Sequence, residues 1–273
     1  MTRPRKLWLA LACFMLVAIA TGLRSVSALA RARETPQSHH TTLTVSAAAS
    51  LVDVLNELQR LYGKRHPDTK LIYNFGGSGM LLLQIEQGAP VDVFISAAPA
   101  PVDTLEEKGL LLAGTRVNLA ENRMVLIVPS NSTNITGFAD LPQPNVRVIA
   151  LGEPASVPAG HYAQQVLEHM RIYQQVRPKV VLAKDVRQVL AYVETGDADA
   201  GIVYATDARI TSRVRVIAQA PADSHDPVIY PAAVIRRSAN PAEAREFLSF
   251  LAGPEARAAF VKYGFTVPPA GTH

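Results

Sequence analysis

From Leu43 onward the chain alternates between short runs rich in β-branched and aromatic residues and longer runs in which apolar side chains return every three or four positions. Short continuous or two-period apolar runs mark strands and a 3.6-residue period marks one face of a helix, so the alternation predicts a wound α/β sheet. "LTVSAAA" predicts the first strand, after which Leu51, Val54, Leu55, Leu58, Leu61 and Tyr62 keep helical spacing. Ser50 followed by Asp53 reads as a capping box with a shortened acid. "KLIYNF" is the next strand, and the turn "GGSG" opens a helix at or just after Ser78. "PVDVFISA" is a third strand, and "PVDTLEEKGLL" a short helix closed by Gly109.

"NRMVLIVPS" then reads as a buried strand and "NSTNITGFADLPQPN" as a long polar turn, near which the chain is expected to cross into a second lobe. A second strand and helix series follows in "RVIALGEP", "VPAGHYAQQVLEHM", "KVVLAKDVRQVLAYVETGDAD" and "AGIVYATDA". "RVRVIA" and "PVIYPAAVI" supply strands expected to return to the first lobe. The end, "NPAEAREFLSFLAGPEARAAFVKYGF", reads as two helices, each opened by a proline after Asn240 or Gly253. A chain of 273 residues is long enough for two lobes.

The first 30 residues do not fit this pattern. Arg3, Arg5 and Lys6 lead a nearly uncharged run from Leu7 to Leu23, and Ala28-Leu29-Ala30 supplies small residues for cleavage, which predicts a secretory signal. An uncleaved membrane tether is the other reading of that run. Removing it takes away four basic and no acidic residues, so the formal charge falls from +4 to zero. With that, the electrostatic argument for nucleic-acid binding disappears. Cys13 is the only cysteine, so the exported protein is expected to hold together by packing, without disulfides.

Four helix starts share one design: a strand end, small residues, then an amphipathic helix expected to have no basic side chain at its first turn. They begin near Ser50, Ser78, Ala159 and Val186, and the Arg187 that follows the last is expected to point elsewhere. A helix tip exposes unpaired amides and a partial positive charge, so tips converging on one crevice form an anion site. Open α/β sheets place such crevices at the carboxyl ends of their strands. Each charge-assisted hydrogen bond contributes roughly 1.5–3 kcal/mol and micromolar binding requires about 8 kcal/mol, so five or six such donors suffice without lysine or arginine.

The words "AAASL", "QIEQGAPVDVFISA", "GEPASVPAGHYA", "KDVRQVLAYVE", "GIVYATDA", "DSHDPVIYP" and "KYGF" span the mature chain in order, and in them the sequence resembles the periplasmic molybdate-binding proteins, the solute receptors of molybdate ABC importers. The resemblance implies a two-lobed periplasmic-binding-protein fold of type II, each lobe a mixed sheet flanked by helices, with the ligand in the cleft between them. It implies a signal at 1–30, one lobe from 31–121 and 222–273, and the other from 122–221. It also implies that molybdate or tungstate is bound through its oxygens by Ser50, Ser78, Ala159, Val186 and Tyr204, the serines and Tyr204 through hydroxyls and the other two through amides. Tyr204 enters on the resemblance alone. The family often has a run of serines where this chain reads Gly76-Gly77-Ser78-Gly79, so Gly79 offers no hydroxyl.

The expected function is therefore high-affinity binding of molybdate and tungstate in the periplasm and delivery to an inner-membrane ABC permease, by a monomer without a cofactor. Sulfate or thiosulfate is the alternative ligand. A serine hydrolase is the rival class: the G-x-S-x-G elbow fails at Met80, although His161 stands near the proposed site in sequence.

Overall fold

The computed structural model describes residues 40–268; the expected signal segment lies outside them. The strands are β1 (Thr41–Ala48), β2 (Thr69–Gly76), β3 (Val93–Ile95), β4 (Val117–Asn122), β5 (Met124–Pro129), β6 (Ile149–Gly152), β7 (Val180–Ala183), β8 (Ala200–Tyr204), β9 (Val214–Gln219) and β10 (Val228–Val234). The helices are α1 (Val52–Arg65), α2 (Ser78–Glu86), α3 (Pro99–Glu107), α4 (Pro158–His169), α5 (Tyr173–Val176), α6 (Val186–Thr195), α7 (Ala205–Ala208), α8 (Pro241–Ala252) and α9 (Pro254–Lys262).

The strands form two five-stranded sheets, ordered β2-β1-β3-β10-β4 and β7-β6-β8-β5-β9. Each has three parallel strands and then an antiparallel strand inserted from across the molecule, β10 in the first sheet and β5 in the second. The chain passes from the first sheet to the second with only Arg123 between β4 and β5, and returns between β9 and β10. "RVRVIA", which the strand pattern sent back to the first lobe and the family bounds of 122–221 kept in the second, is β9 and pairs with β5 in the second sheet. Its run of alternating character suits an edge strand, and the sheet it joins is decided by the neighbouring β5.

The central strands of each sheet are the buried ones, whereas the edge strands β2 and β7 keep exposed positions such as Ile72 and Leu182. Leu43, Val45 and Ala47 of β1 are fully buried, as are Leu126, Ile127 and Val128 of β5. Helix α1 buries Val54, Leu55, Leu58 and Tyr62, and α6 buries Val186, Val189, Leu190 and Val193, at the expected helical spacing. Pro231 lies in β10, between β3 and β4, where a missing amide would break the ladder; the register shifts at Tyr230/Pro231 and the break is absorbed there. Gly160, in the first turn of α4, packs against Gly152 at the end of β6 so closely that a Cβ would overlap the Gly152 carbonyl. That contact fixes where the tip of α4 lies.

Candidate functional site

Four chain turns meet where the two sheets face each other. Strand β1 ends in Ala47 and Ala48, and a 3-10 turn, Ala49–Leu51, carries Ser50 into α1. The capping box expected of Ser50 and Asp53 is not made: the residue preceding α1 is Leu51 and no side chain caps it. A capping serine needs extended backbone, whereas Ser50 already lies within the helical turn. Its Oγ instead lies 3.0 Å from the Tyr230 hydroxyl.

Ser78 is the first residue of α2, after the extended Gly77, and is fully buried. Its Oγ accepts a hydrogen bond from the Ala97 amide at 3.0 Å. Ala159 is the second residue of α4, behind Pro158, whose missing amide costs nothing at a first turn. Val186 opens α6, whose preceding Asp185 accepts from the Gln188 amide at 2.9 Å. Tyr204 ends β8; its hydroxyl is buried without a hydrogen-bond partner, and burial pushes the phenol well above its ordinary range.

Ser50, Ser78, Ala159, Val186 and Tyr204 all line one cavity, with the small residues Ala48, Ala49, Gly76 and Gly77 among them. The cavity is small, about 10 Å³, so both sides press closely on whatever fills it. Among the described residues, no lysine or arginine lines it and the one carboxylate that does, Asp185, is engaged by its own helix. The amides of Gly79, Gly160 and Gln188 are already engaged, by the Ser156 and Val157 carbonyls and the Asp185 carboxylate, so the donors that these tips can turn to the chamber are the amides of Ser78, Ala159 and Val186. Such an arrangement can hold an anion and offers little to a cation.

Two glycines bring the walls together. A Cβ on Gly77 would stand 2.8 Å from the Lys184 carbonyl, and one on Gly79 2.8 Å from Ser156 Cα and O. The Gly79 amide donates to the Ser156 carbonyl at 2.9 Å, a bond between the halves of the molecule. Glycine where a serine was looked for thus trades a hydroxyl for direct backbone contact.

The expectation of tips without cations needs correcting at α6, because Arg187 is in its first turn. It turns away from the chamber. Its Nη2 lies 2.6 Å from Asp53 Oδ2 and 3.3 Å from the Ser50 carbonyl, and its Nε 2.7 Å from Asp207 Oδ1, the last an ion pair outside hydrogen-bond alignment. Asp207 is fully buried. Burial pushes its carboxyl up to about 6, although the Arg187 guanidinium beside it pulls the other way.

Sequence reasoning missed Tyr230 and Asn122. Asn122 Nδ2 donates to Tyr230 Oη at 3.2 Å and to Thr206 Oγ1 at 2.8 Å, directly behind Ser50. Nothing in the period of β4 or β10 signals this, since both residues sit at ordinary strand positions. His161 lines a neighbouring groove and not the chamber, with its Nε2 3.2 Å from Gln165 Nε2. Ser78 Oγ accepts from the Ala97 amide and His161 pairs with Gln165 outside the chamber, so among the described residues no Ser78–His161 hydrogen bond forms.

Residues 43–266 match the family described as bacterial extracellular solute-binding protein. The chain is 38% identical over 228 residues to the molybdate-binding protein ModA of Haemophilus influenzae, covering 82% of this chain and 89% of that protein. It is 37% identical over 235 residues to the molybdate-binding protein ModA of Escherichia coli, with the same coverage of 82% and 89%. The solved periplasmic molybdate-binding protein of Azotobacter vinelandii superposes with a TM-score of 0.76 at 25% identity, covering 83% of this chain and 99% of that one. These relatives are binding proteins, and the superposition carries the two-lobed periplasmic-binding-protein fold. Because the matched span contains both sheets except the first two residues of β1, and every residue around the chamber, the chain belongs to the bacterial extracellular solute-binding protein family.

Proposed function

We propose that the protein binds molybdate or tungstate in the cleft between its lobes, 31–121 with 222–273 and 122–221, and delivers it to an inner-membrane ABC permease. In this reading Ser50, Ser78 and Tyr204 give hydroxyl donors to the anion's oxygens, and Ala159 and Val186 give amides. The protein is exported by residues 1–30 and works as a monomer.

The observation that carries the reading is the convergence of helix tips and the unpartnered Tyr204 hydroxyl on one cavity without a cationic side chain. A buried hydroxyl without a partner costs about 1–3 kcal/mol, which an anionic oxygen would relieve. The names of the molybdate-binding relatives supply the identity of the anion. Cavity size discriminates against sulfate, because the longer metal–oxygen bonds of molybdate fill a rigid ring of donors that is slack around the smaller ion. Hydrogen phosphate brings a proton to a site with few acceptors. Tungstate matches molybdate in size and charge, so the two should bind alike. An ion held from both lobes stabilises the closed form by differential contact, which gives the permease a way to tell full from empty.

Titration calorimetry of the ligand-free protein with molybdate, tungstate, sulfate and phosphate tests this. Strong, nearly equal binding of the first two is expected, and sulfate binding as tight as molybdate would defeat the assignment. Tyr204→Phe should weaken molybdate binding by about 1–3 kcal/mol, and unchanged affinity would remove Tyr204 from the contact set.

A further inference from the structure

A hydroxyl can accept as well as donate, so a serine facing an anion helps only if its proton points at the ligand. The bonds behind Ser50 fix that direction. Asn122 Oδ1 accepts from the Arg123 amide at 2.9 Å, which orients the side-chain amide and leaves Nδ2 to face Tyr230 and Thr206. An amide nitrogen only donates, so Tyr230 Oη is the acceptor at 3.2 Å. The Tyr230 proton then needs an acceptor, since the residue is fully buried, and Ser50 Oγ at 3.0 Å is the partner that can take it. Burial pushes the Tyr230 phenol well up, so it keeps that proton to donate. With an oxygen lone pair occupied from behind, Ser50 has its own proton free for the chamber. Ser78 is arranged in the same way, its Oγ accepting from the Ala97 amide.

We propose that Tyr230 and Asn122 are positioning residues that commit Ser50 to donating, and that this relay sets the preference for fully deprotonated dianions over anions that carry a proton. The inference rests on the proposed contact between Ser50 and the anion. Without the relay Ser50 turns freely and can accept, so a hydrogen-bearing anion such as hydrogen phosphate finds the acceptor that the intact site denies it. Bonds chained in this way also strengthen one another, because each acceptor becomes a better donor.

The test is a double-mutant cycle read by calorimetry with molybdate and with inorganic phosphate near neutral pH. Tyr230→Phe keeps the ring and its edge contact with Phe265 and should weaken molybdate about tenfold. It should also shrink the ratio of molybdate to phosphate affinity, a readout that a merely structural role would not move. In a Ser50→Ala background the same substitution should have little further effect. Asn122→Ala should act in the same direction and less strongly, and serves if Tyr230→Phe fails to fold. A loss on Tyr230→Phe that persists in full without the Ser50 hydroxyl, or an unchanged ratio, would overturn the relay while leaving the site reading intact. No effect of Ser50→Ala alone would remove Ser50 from the site, and the relay with it.

Discussion

Around the chamber, hydroxyls and helix-tip amides face the enclosed space, whereas one residue beyond Val186 a guanidinium sits between two aspartates and faces none of it. Both regions join the halves of the molecule, yet they handle charge in opposite ways. For the proposed dianion, a cation in the chamber would neutralise it so fully that release would be slowed; oriented dipoles would bind it without that. Behind the wall the requirement is different. Asp207 has no exposure, and a buried carboxylate needs a full opposite charge beside it to remain ionised near neutral pH. Arg187 meets that need and reaches the Asp53 carboxylate and the Ser50 carbonyl with the same planar fork.

Arg187→Met should break the comparison most severely. It leaves Asp207 buried without its partner, and the free energy of unfolding should fall by about 3 kcal/mol, the lower end for a buried pair because the arginine side chain keeps 21% exposure. Chemical denaturation at several pH values checks this. Without the guanidinium the Asp207 carboxyl rises further above its unfolded value, so the folded variant binds more protons than the unfolded chain. Its stability therefore falls as pH rises, and the deficit against the parent protein should narrow as pH is lowered from 8 to 5. A deficit independent of pH would detach Asp207 from the effect.

Gly79→Ala probes the uncharged region. The position lies in the first turn of α2 at an ordinary φ, and alanine is the better helix former, so the ligand-free protein should gain up to about 1 kcal/mol or stay unchanged in stability. Molybdate affinity should nevertheless drop about tenfold, because the added Cβ would stand 2.8 Å from Ser156 Cα and O and push the two walls apart. Thermal unfolding and calorimetry on the same sample separate the two signs, and a parallel fall in both would show that the glycine serves the fold alone.

Asp53→Asn is the mildest. Its partly exposed carboxylate joins Arg187 across the cleft, and removing the charge leaves Arg187 with Asp207. Molybdate should dissociate a few-fold faster, in keeping with the small worth of partly exposed pairs, and stopped-flow measurement would detect it. An unchanged rate would confine the clamp to a structural role.

The strands and helices were legible in the sequence because apolar period reports which face is buried, and this chain keeps its period through α1, α4 and α6. The tips at Ser50, Ser78, Ala159 and Val186 were legible as a repeated design, and the structure brings them around one cavity. Tyr204 was not, since a tyrosine at a strand end reads as core; only the family resemblance singled it out. Asp53 was misread because its spacing from Ser50 imitates a cap, while its partner lies 134 positions away. Tyr230 is 180 positions from Ser50 and 108 from Asn122, and no local pattern encodes a pairing that distant.

The two crossings between the sheets have a consequence for Ser50. Any swing of the two halves would turn about the line joining their crossings, Arg123 and residues 220–227, and Asn122 lies at the first of them, beside the single linking residue Arg123. An atom on the pivot is displaced least. Under the proposed relay, the group that aims the serine's proton is therefore anchored where opening would disturb it least, and capture would begin without a reorganisation cost.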